Sequence, residues 1–294
     1  MKKKALSYIL IIAAASCWGL ISIASRSLTA LGLSQMMIIL ARGVVTTIFL
    51  GIFLLIKDRS SLRIKLRDIW CFVGTGILSV VFFSFCYFSA INAMNASVAV
   101  VLLYTSPIFV MLISAPLFKE RITPPKLAAV CLVLMGAACS AGIIGSNDPL
   151  PLGGVVLGLG AGLGYALYSI FSRCAFNRGY GSSTVTFYTF AFTTVGTLPL
   201  IDYSGFAQVQ VCPQMWLYCL FIGLICCAIP YLMYTEGLKG VENGVASVVA
   251  SWEIVAATLV GVLFWGEPLS LLNGAGILLV IAGITVMNVK RGEQ

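Results

Sequence analysis

The sequence predicts an all-α integral membrane protein of ten transmembrane helices, arranged as two inverted five-helix repeats. Three observations lead there. First, 60% of the 294 residues are hydrophobic and only 10% are charged, with a mean hydropathy of +1.04. No soluble domain of that length buries so much apolar surface, so most of its solvent is lipid. Second, the chain matches itself at an offset of 147 residues, half of 294. Ser22-Ile23-Ala24-Ser25-Arg26 returns as Ser169-Ile170-Phe171-Ser172-Arg173, Gly32 as Gly179, Thr46-Thr47 as Thr193-Thr194 and Gly76 as Gly223. Tyr87 returns as Tyr234, Val98-Ala99 as Val245-Ala246, Glu120 as Glu267 and Gly136 as Gly283. Third, once ten helices are drawn, nearly all lysines and arginines fall on one side.

Apolar windows of about 20 residues, enough to cross a bilayer, place the helices in order. The first, near 6–25, follows Lys2-Lys3-Lys4. With Ala15-Ser16-Cys17 this start resembles a cleavable leader, but Ala14 and Trp18 fit that reading badly and the apolar run continues to Ala24. It reads as an uncleaved span. The second, 34–56, contains Arg42 and stops at Lys57; the basic loop from Lys57 to Asp68 leads to the third, 69–91. The fourth, 95–117, contains Pro107 and ends before Lys119-Glu120-Arg121; the fifth, 125–144, follows at once. The sixth, 151–172, carries Gly154, Gly158 and Gly162 at four-residue spacing, a small-residue stripe that lets helices approach closely. Its glycines are no dinucleotide loop, since no strand precedes them. The seventh, 182–202, and eighth, 214–236, contain Pro199 and Pro230 and are joined by Tyr203–Pro213. Pro107, Pro199 and Pro230 are expected to interrupt their helices and free backbone carbonyls. The ninth, 241–264, contains Glu253, and the tenth is 270–289.

Lys2, Lys3 and Lys4, the loop residues Lys57, Arg59, Arg63, Lys65 and Arg67, then Lys119, Arg121, Lys126, Arg173, Arg178, Lys239, Lys290 and Arg291 share one side; the other side has Arg26 alone. The positive-inside rule makes that basic side, with both termini, cytoplasmic, and suggests the plasma membrane. The net charge of +8 is thus read as orientation and not as nucleic-acid binding. Eight of the ten cysteines lie inside apolar runs, no CxxC occurs and there is no histidine, so all ten are read as packing residues, with no metal and no cofactor. Without histidine or a GxSxG motif, an intramembrane enzyme is disfavoured. Five helices per repeat invert the second half (148–294) relative to the first (1–147), the architecture of carriers that open a central site to alternate faces. A channel or lipid scramblase is the alternative outside the carrier class.

Ser251-Trp252-Glu253-Ile254, Leu263-Phe264-Trp265-Gly266-Glu267 and Gly274-Ala275-Gly276 in the second half, with Trp18-Gly19, Arg42, Pro107 and Leu117-Phe118-Lys119-Glu120-Arg121 in the first, resemble the drug/metabolite transporter superfamily, in its EamA-type branch of ten-helix exporters. The resemblance covers essentially the whole chain. It implies a small organic substrate, with amino acids and related metabolites leading and drugs or nucleotide precursors as alternatives. The family often has Glu-Pro in the ninth helix; here Glu253 precedes Ile254, which removes the residue that would bend it.

Glu253 is the deepest acid. A charge at mid-membrane costs about 2.5–3.5 kcal/mol, so it faces a cavity or a partner. It is a candidate substrate-cation or proton site, or half of a structural ion pair with Arg42, which could equally hold a substrate carboxylate. Glu120 and Glu267 are expected to make gating or capping contacts at opposite ends, with Pro107 and Pro230 as hinge points. The cavity the family implies between the repeats nominates Trp18, Ser22, Tyr104, Tyr165, Ser169, Tyr234 and Trp252, aromatic and hydroxyl groups suited to an amphipathic ligand. Oligomeric state is not legible, and a monomer completes the bundle.

Overall fold

The structure, a computed structural model, describes residues 2–143 and 150–288, apart from the side chains of Lys2, Lys3 and Asn288. The expected repeat boundary at 147/148, the ends of the fifth and tenth predicted helices, and Lys290 and Arg291 lie outside the described residues. Within them the chain forms ten helical passes and no strand. They are α1a (Lys2–Gly19) and α1b (Ile21–Ala30), α2 (Gln35–Lys57), α3 (Ile69–Val73, Gly74–Val81 and Phe82–Ala93), α4a (Ala96–Leu103) and α4b (Ser106–Phe118), and α5 (Pro124–Ser140). The second half repeats the series: α6 (Leu152–Phe176), α7 (Ser182–Thr197), α8 (Pro213–Gly223, Leu224–Ala228 and Ile229–Leu238), α9a (Asn243–Ala250) and α9b (Trp252–Trp265), and α10 (Leu271–Asn288). Among the described residues, seven continuous runs are long and apolar enough to cross a membrane alone; α5, α7 and α10 are shorter.

The duplication is visible in the departures from ideal helix. The middle of α3, Gly74–Val81, and the middle of α8, Leu224–Ala228, both widen into π-helix, and the offset of 147 carries the first onto 221–228, which contains the second. Such widening leaves a carbonyl without its usual helical partner. Thr46 on α2 donates to the Gly223 carbonyl at 2.7 Å, while Thr193 on α7 donates to the Gly76 carbonyl at 3.3 Å. These are register-equivalent bonds, each made by one repeat to the backbone of the other. The turns repeat as well. Gly32 and Gly179 have φ of 90° and 87°, and Lys119 and Gly266 have φ of 57° and 64°.

Helix breaks follow the same rule with one surprise. Pro107 sits in the first turn of α4b, where its missing N–H costs nothing, and the fourth pass breaks at Tyr104–Thr105. The ninth pass breaks at the equivalent Ser251 without any proline. Pro230 opens the last segment of α8, just after its π stretch. Pro199 departs from expectation: it lies in the 3-10 turn Leu198–Leu200 that ends α7, so it terminates that helix instead of interrupting it.

Loops at the basic end are tied down locally. Asp68, 5% exposed, accepts from Arg178 Nε at 3.0 Å and from the Tyr180 hydroxyl at 2.9 Å. Burial, then that neighbouring carboxylate, pushes the Tyr180 hydroxyl above its usual range. The Ser60 and Ser61 hydroxyls hold the Asp58 carboxyl below the usual carboxylate range.

α5 packs along α10 through glycine. A Cβ on Gly276 would lie 2.2 Å from Ser140 Oγ and 2.7 Å from the Gly136 carbonyl, and one on Gly136 would lie 2.8 Å from Val280. The α6 stripe does the same toward the fourth pass: a Cβ on Gly162 would meet Thr105 Oγ1 at 2.6 Å, and one on Gly158 would meet Leu102 at 2.5 Å. Gly276→Val is therefore expected to destabilise the protein by about 1–3 kcal/mol through overpacking, read as a lower melting temperature in detergent. A melting curve like that of the native protein would mean that α5 and α10 are not closely packed.

Candidate functional site

The broken helices bring polar chain ends to mid-depth between the repeats, and the deep acid sits on one of them. Glu253 is in the first turn of α9b, where the unpaired N–H groups of a helix start favour a carboxylate. Its Oε2 accepts from the Tyr165 hydroxyl of α6 at 3.1 Å. Tyr87, Tyr104 and Tyr231 lie within its electrostatic reach. Glu253, Tyr165, Tyr87 and Trp252 are only partly buried, so this acid and its neighbours border accessible space.

Aromatic rings form the walls. Trp18 meets Tyr231 edge-on at 5.3 Å and Tyr165 at 6.5 Å, with Tyr234 tilted at 5.4 Å. Phe83 stacks on Tyr87 at 5.8 Å and meets Tyr165 at 5.6 Å. Trp252 Nε1 donates to Ser16 Oγ at 3.0 Å. By contrast, the Trp18 indole N–H and Arg42 Nε, both buried, have no protein partner.

Of the residues nominated from sequence, the structure brings together Trp18, Tyr104, Tyr165, Tyr234, Trp252 and Glu253. Ser169 and Tyr234 bond each other at 2.7 Å, both 3% exposed. Ser22 lies on α1b, outside this hydrogen-bonded set. The expected ion pair of Arg42 with Glu253 is not formed. Arg42 instead donates to Ser84 Oγ at 3.3 Å, because α2 places it against α3 and the π segment of α8 while Glu253 faces α6. Tyr231, Tyr87, Phe83, Ser84 and Ser16 were not nominated. Tyr231 carried a signal, since it precedes Tyr234 by three residues on one helical face.

The two ends of this centre differ. At the basic end Glu120 accepts the backbone N–H of Asn243 at 2.7 Å and of Gly244 at 3.1 Å, capping α9a. The Asn243 side chain donates to Ser114 Oγ at 3.2 Å and accepts from Arg173 Nε at 2.9 Å. Arg173 also donates to the Leu238 carbonyl at 2.7 Å and to that of Val241. α9a packs on α1a, α4b, α5, α6 and α10. An open cavity of about 1130 Å³ at this end is bordered by Glu120 and Arg173 together with Lys4, Lys119, Arg121 and Lys126. At the opposite end α4a packs on α3, α5 and α6, without comparable packing on α1 or α9b. There Glu267 pairs with Arg26 at 2.7 Å, the two side chains 49% and 54% exposed.

The profile of the EamA-like transporter family matches the chain twice, over residues 5–142 and 152–289. A protein of Archaeoglobus fulgidus named as an uncharacterized transporter is 28% identical over 200 residues, 68% of this chain and 70% of its own. The uncharacterized transporter YxxF of Bacillus subtilis (strain 168) is 21% identical over 257 residues, 86% and 81% of the two chains. A crystal structure 21% identical in sequence superposes with a TM-score of 0.81, covering 95% of each chain, a likeness of fold.

Tyr165→Phe removes the one hydroxyl bonded to the Glu253 carboxyl group among the described residues. The expected cost is about 1–2 kcal/mol, seen as a melting temperature several degrees lower while Tyr87→Phe changes it less. Equal melting for the two variants would mean that Tyr165 does not hold Glu253.

Proposed function

The chain belongs to the EamA-like transporter family, a membrane transporter and not an enzyme, and from that premise we propose that it exports amino acids or closely related zwitterions. It does so by alternating access, as a monomer in the plasma membrane with both termini and the basic end in the cytoplasm. The observation that carries the substrate class is a pair of opposite charges that do not neutralise each other. Arg42 and Glu253 both lie within electrostatic reach of the Tyr231 hydroxyl, yet each is bonded elsewhere. A zwitterion satisfies both at once: its carboxylate meets the guanidinium, whose Nε has no protein partner, and its ammonium meets Glu253. The rings of Trp18, Tyr87, Phe83 and Tyr165 then receive an apolar or aromatic side chain.

The difference between the ends supports alternating access. α9a packs on more neighbouring helices than α4a does, as expected of one of two conformations related by the inverted repeat. Glu253, the lone acid among the rings, is the group through which a proton would exchange with the substrate ammonium, so coupling to an inward proton gradient is part of the proposal.

Counterflow into proteoliposomes tests this. Vesicles loaded with unlabelled amino acid should accumulate the labelled one, saturably, for at least one member of a neutral and cationic panel. Flux linear in concentration would support a channel, and transfer of labelled phospholipid between leaflets a scramblase. With a substrate in hand, Arg42→Ala should raise the half-saturating concentration of the amino acid by about tenfold or more, a loss of about 1.4 kcal/mol, and that of its decarboxylated amine far less. Glu253→Gln should abolish the response to an imposed pH gradient; an unchanged response removes the proton-coupling role.

A further inference from the structure

The two ends of the protein are built from register-equivalent parts, and only one end has them engaged. The offset of 147 maps Glu120 to Glu267 and Arg173 to Arg26. It maps the amides that Glu120 caps, Asn243 and Gly244, to Ala96 and Ser97. It maps the carbonyls that Arg173 binds, Leu238 and Val241, to Ile91 and Met94.

Both glutamates leave their helices in the same way. Lys119 and Gly266 adopt the left-handed conformation, φ 57° and 64°. The next N–H then closes the helix onto the carbonyl six residues back, Glu120 onto Ser114 at 3.5 Å and Glu267 onto Gly261 at 3.2 Å. A side chain here suffers αL strain that glycine does not, yet the chain holds Lys119 in it, so the turn itself is what both sites share. At Glu120 the carboxylate passes its own helix to the start of a neighbouring half-helix, while that of Glu267 lies back against Gly261 of its own helix.

At the basic end that start is α9a, and Glu120 is on it. At the opposite end it is α4a, an eight-residue half-helix of the same length. There the carboxylate is missing from its place. Glu267 is held by Arg26, and the Ser97 amide takes Asn95 Oδ1 at 2.8 Å instead.

We propose that Glu267 and Arg26 are the disengaged halves of a second latch, which closes the opposite end when the basic end opens. In that conformation Glu267 accepts the N–H groups of Ala96 and Ser97, and Arg26 donates to the carbonyls of Ile91 and Met94. Glu120 and Arg173 leave α9a and pair with each other, as Glu267 and Arg26 do now. The proposal rests on the alternating-access reading and names the residues that hold its second state. Exchange between the states then breaks one carboxylate-capped helix start while making another.

The exchange is not even. The basic-end latch includes the Asn243 side chain, bonded to Ser114 and Arg173; its equivalents Ala96 and Gly261 offer no such groups. The basic end is therefore the more firmly closed, and the conformation seen here is the resting one.

Hydrogen–deuterium exchange of the full-length protein in nanodiscs, followed on peptides spanning 95–99 and 242–246, tests the latch. Glu120→Gln should speed exchange at Asn243–Gly244 by about tenfold and slow it at Ala96–Ser97 in the same sample. Adding Glu267→Gln should return Ala96–Ser97 to the native rate. If slowing at Ala96–Ser97 survives in the double variant, the opposite end closes without Glu267 and the latch is wrong. If Glu120→Gln speeds Asn243–Gly244 with no change at Ala96–Ser97, the two ends are uncoupled and alternating access fails with it. Asn243→Ala leaves both carboxylates in place and should show the same trade, so the test stands even if a glutamate variant does not fold.

Discussion

In a bilayer every backbone carbonyl must find its partner inside the protein, and here the two repeats supply partners for each other. The π stretches of α3 and α8 each receive a donor from outside their own helices. Thr193 and Thr46 reach across to the Gly76 and Gly223 carbonyls, so each repeat completes the other's hydrogen bonding. The exchange is reciprocal and holds the α2–α8 and α7–α3 pairs at a fixed register. Everything nearer the centre inherits that register: Arg42 one turn from Thr46, Ser84 and Tyr87 just past the α3 widening, and Tyr231 and Tyr234 just past the one in α8.

The same constraint governs where a charge can sit. A continuous helix offers nothing to a mid-membrane carboxylate, and the insertion cost of about 2.5–3.5 kcal/mol would stand uncompensated. Breaking the ninth pass at Ser251 creates a helix start at that depth. Glu253 occupies its first turn, facing the Tyr165 hydroxyl. The fourth pass has the equivalent break with Ser106-Pro107 in place of Glu253-Ile254. The break is thus a property of the repeat, and proline is one sequence that permits it, not its cause.

That explains what could be read beforehand. The ten spans were legible because composition and turn residues alone decide where a helix can cross. Their inverted pairing was legible because identities such as Thr46/Thr193 and Gly76/Gly223 survive where backbone needs them. The break in the ninth pass was not legible, since the proline that usually announces it is absent and the cause lies in packing between repeats. Nor was the partner of Arg42: a residue's depth can be counted along a helix, but its rotation is set by neighbours, and α2 turns it toward Ser84. For the same reason Tyr87 entered the sequence argument only as a match to Tyr234, while the structure places it beside Glu253.

A strict two-fold copy would leave a transporter with two states of equal energy and no resting direction. Among the many positions at which the two halves differ, two stand out by their place at the ends and at the centre. Asn243 faces Ser114 and Arg173 where the other repeat has Ala96 and Gly261, and Glu253 stands where the first repeat has Ser106. The first difference acts at the ends, adding hydrogen bonds to one closed arrangement and not the other. The second acts at the centre, where it places a carboxylate in one repeat that the other lacks. The left-handed turns and the half-helix breaks have meanwhile stayed in register, and the π stretches overlap.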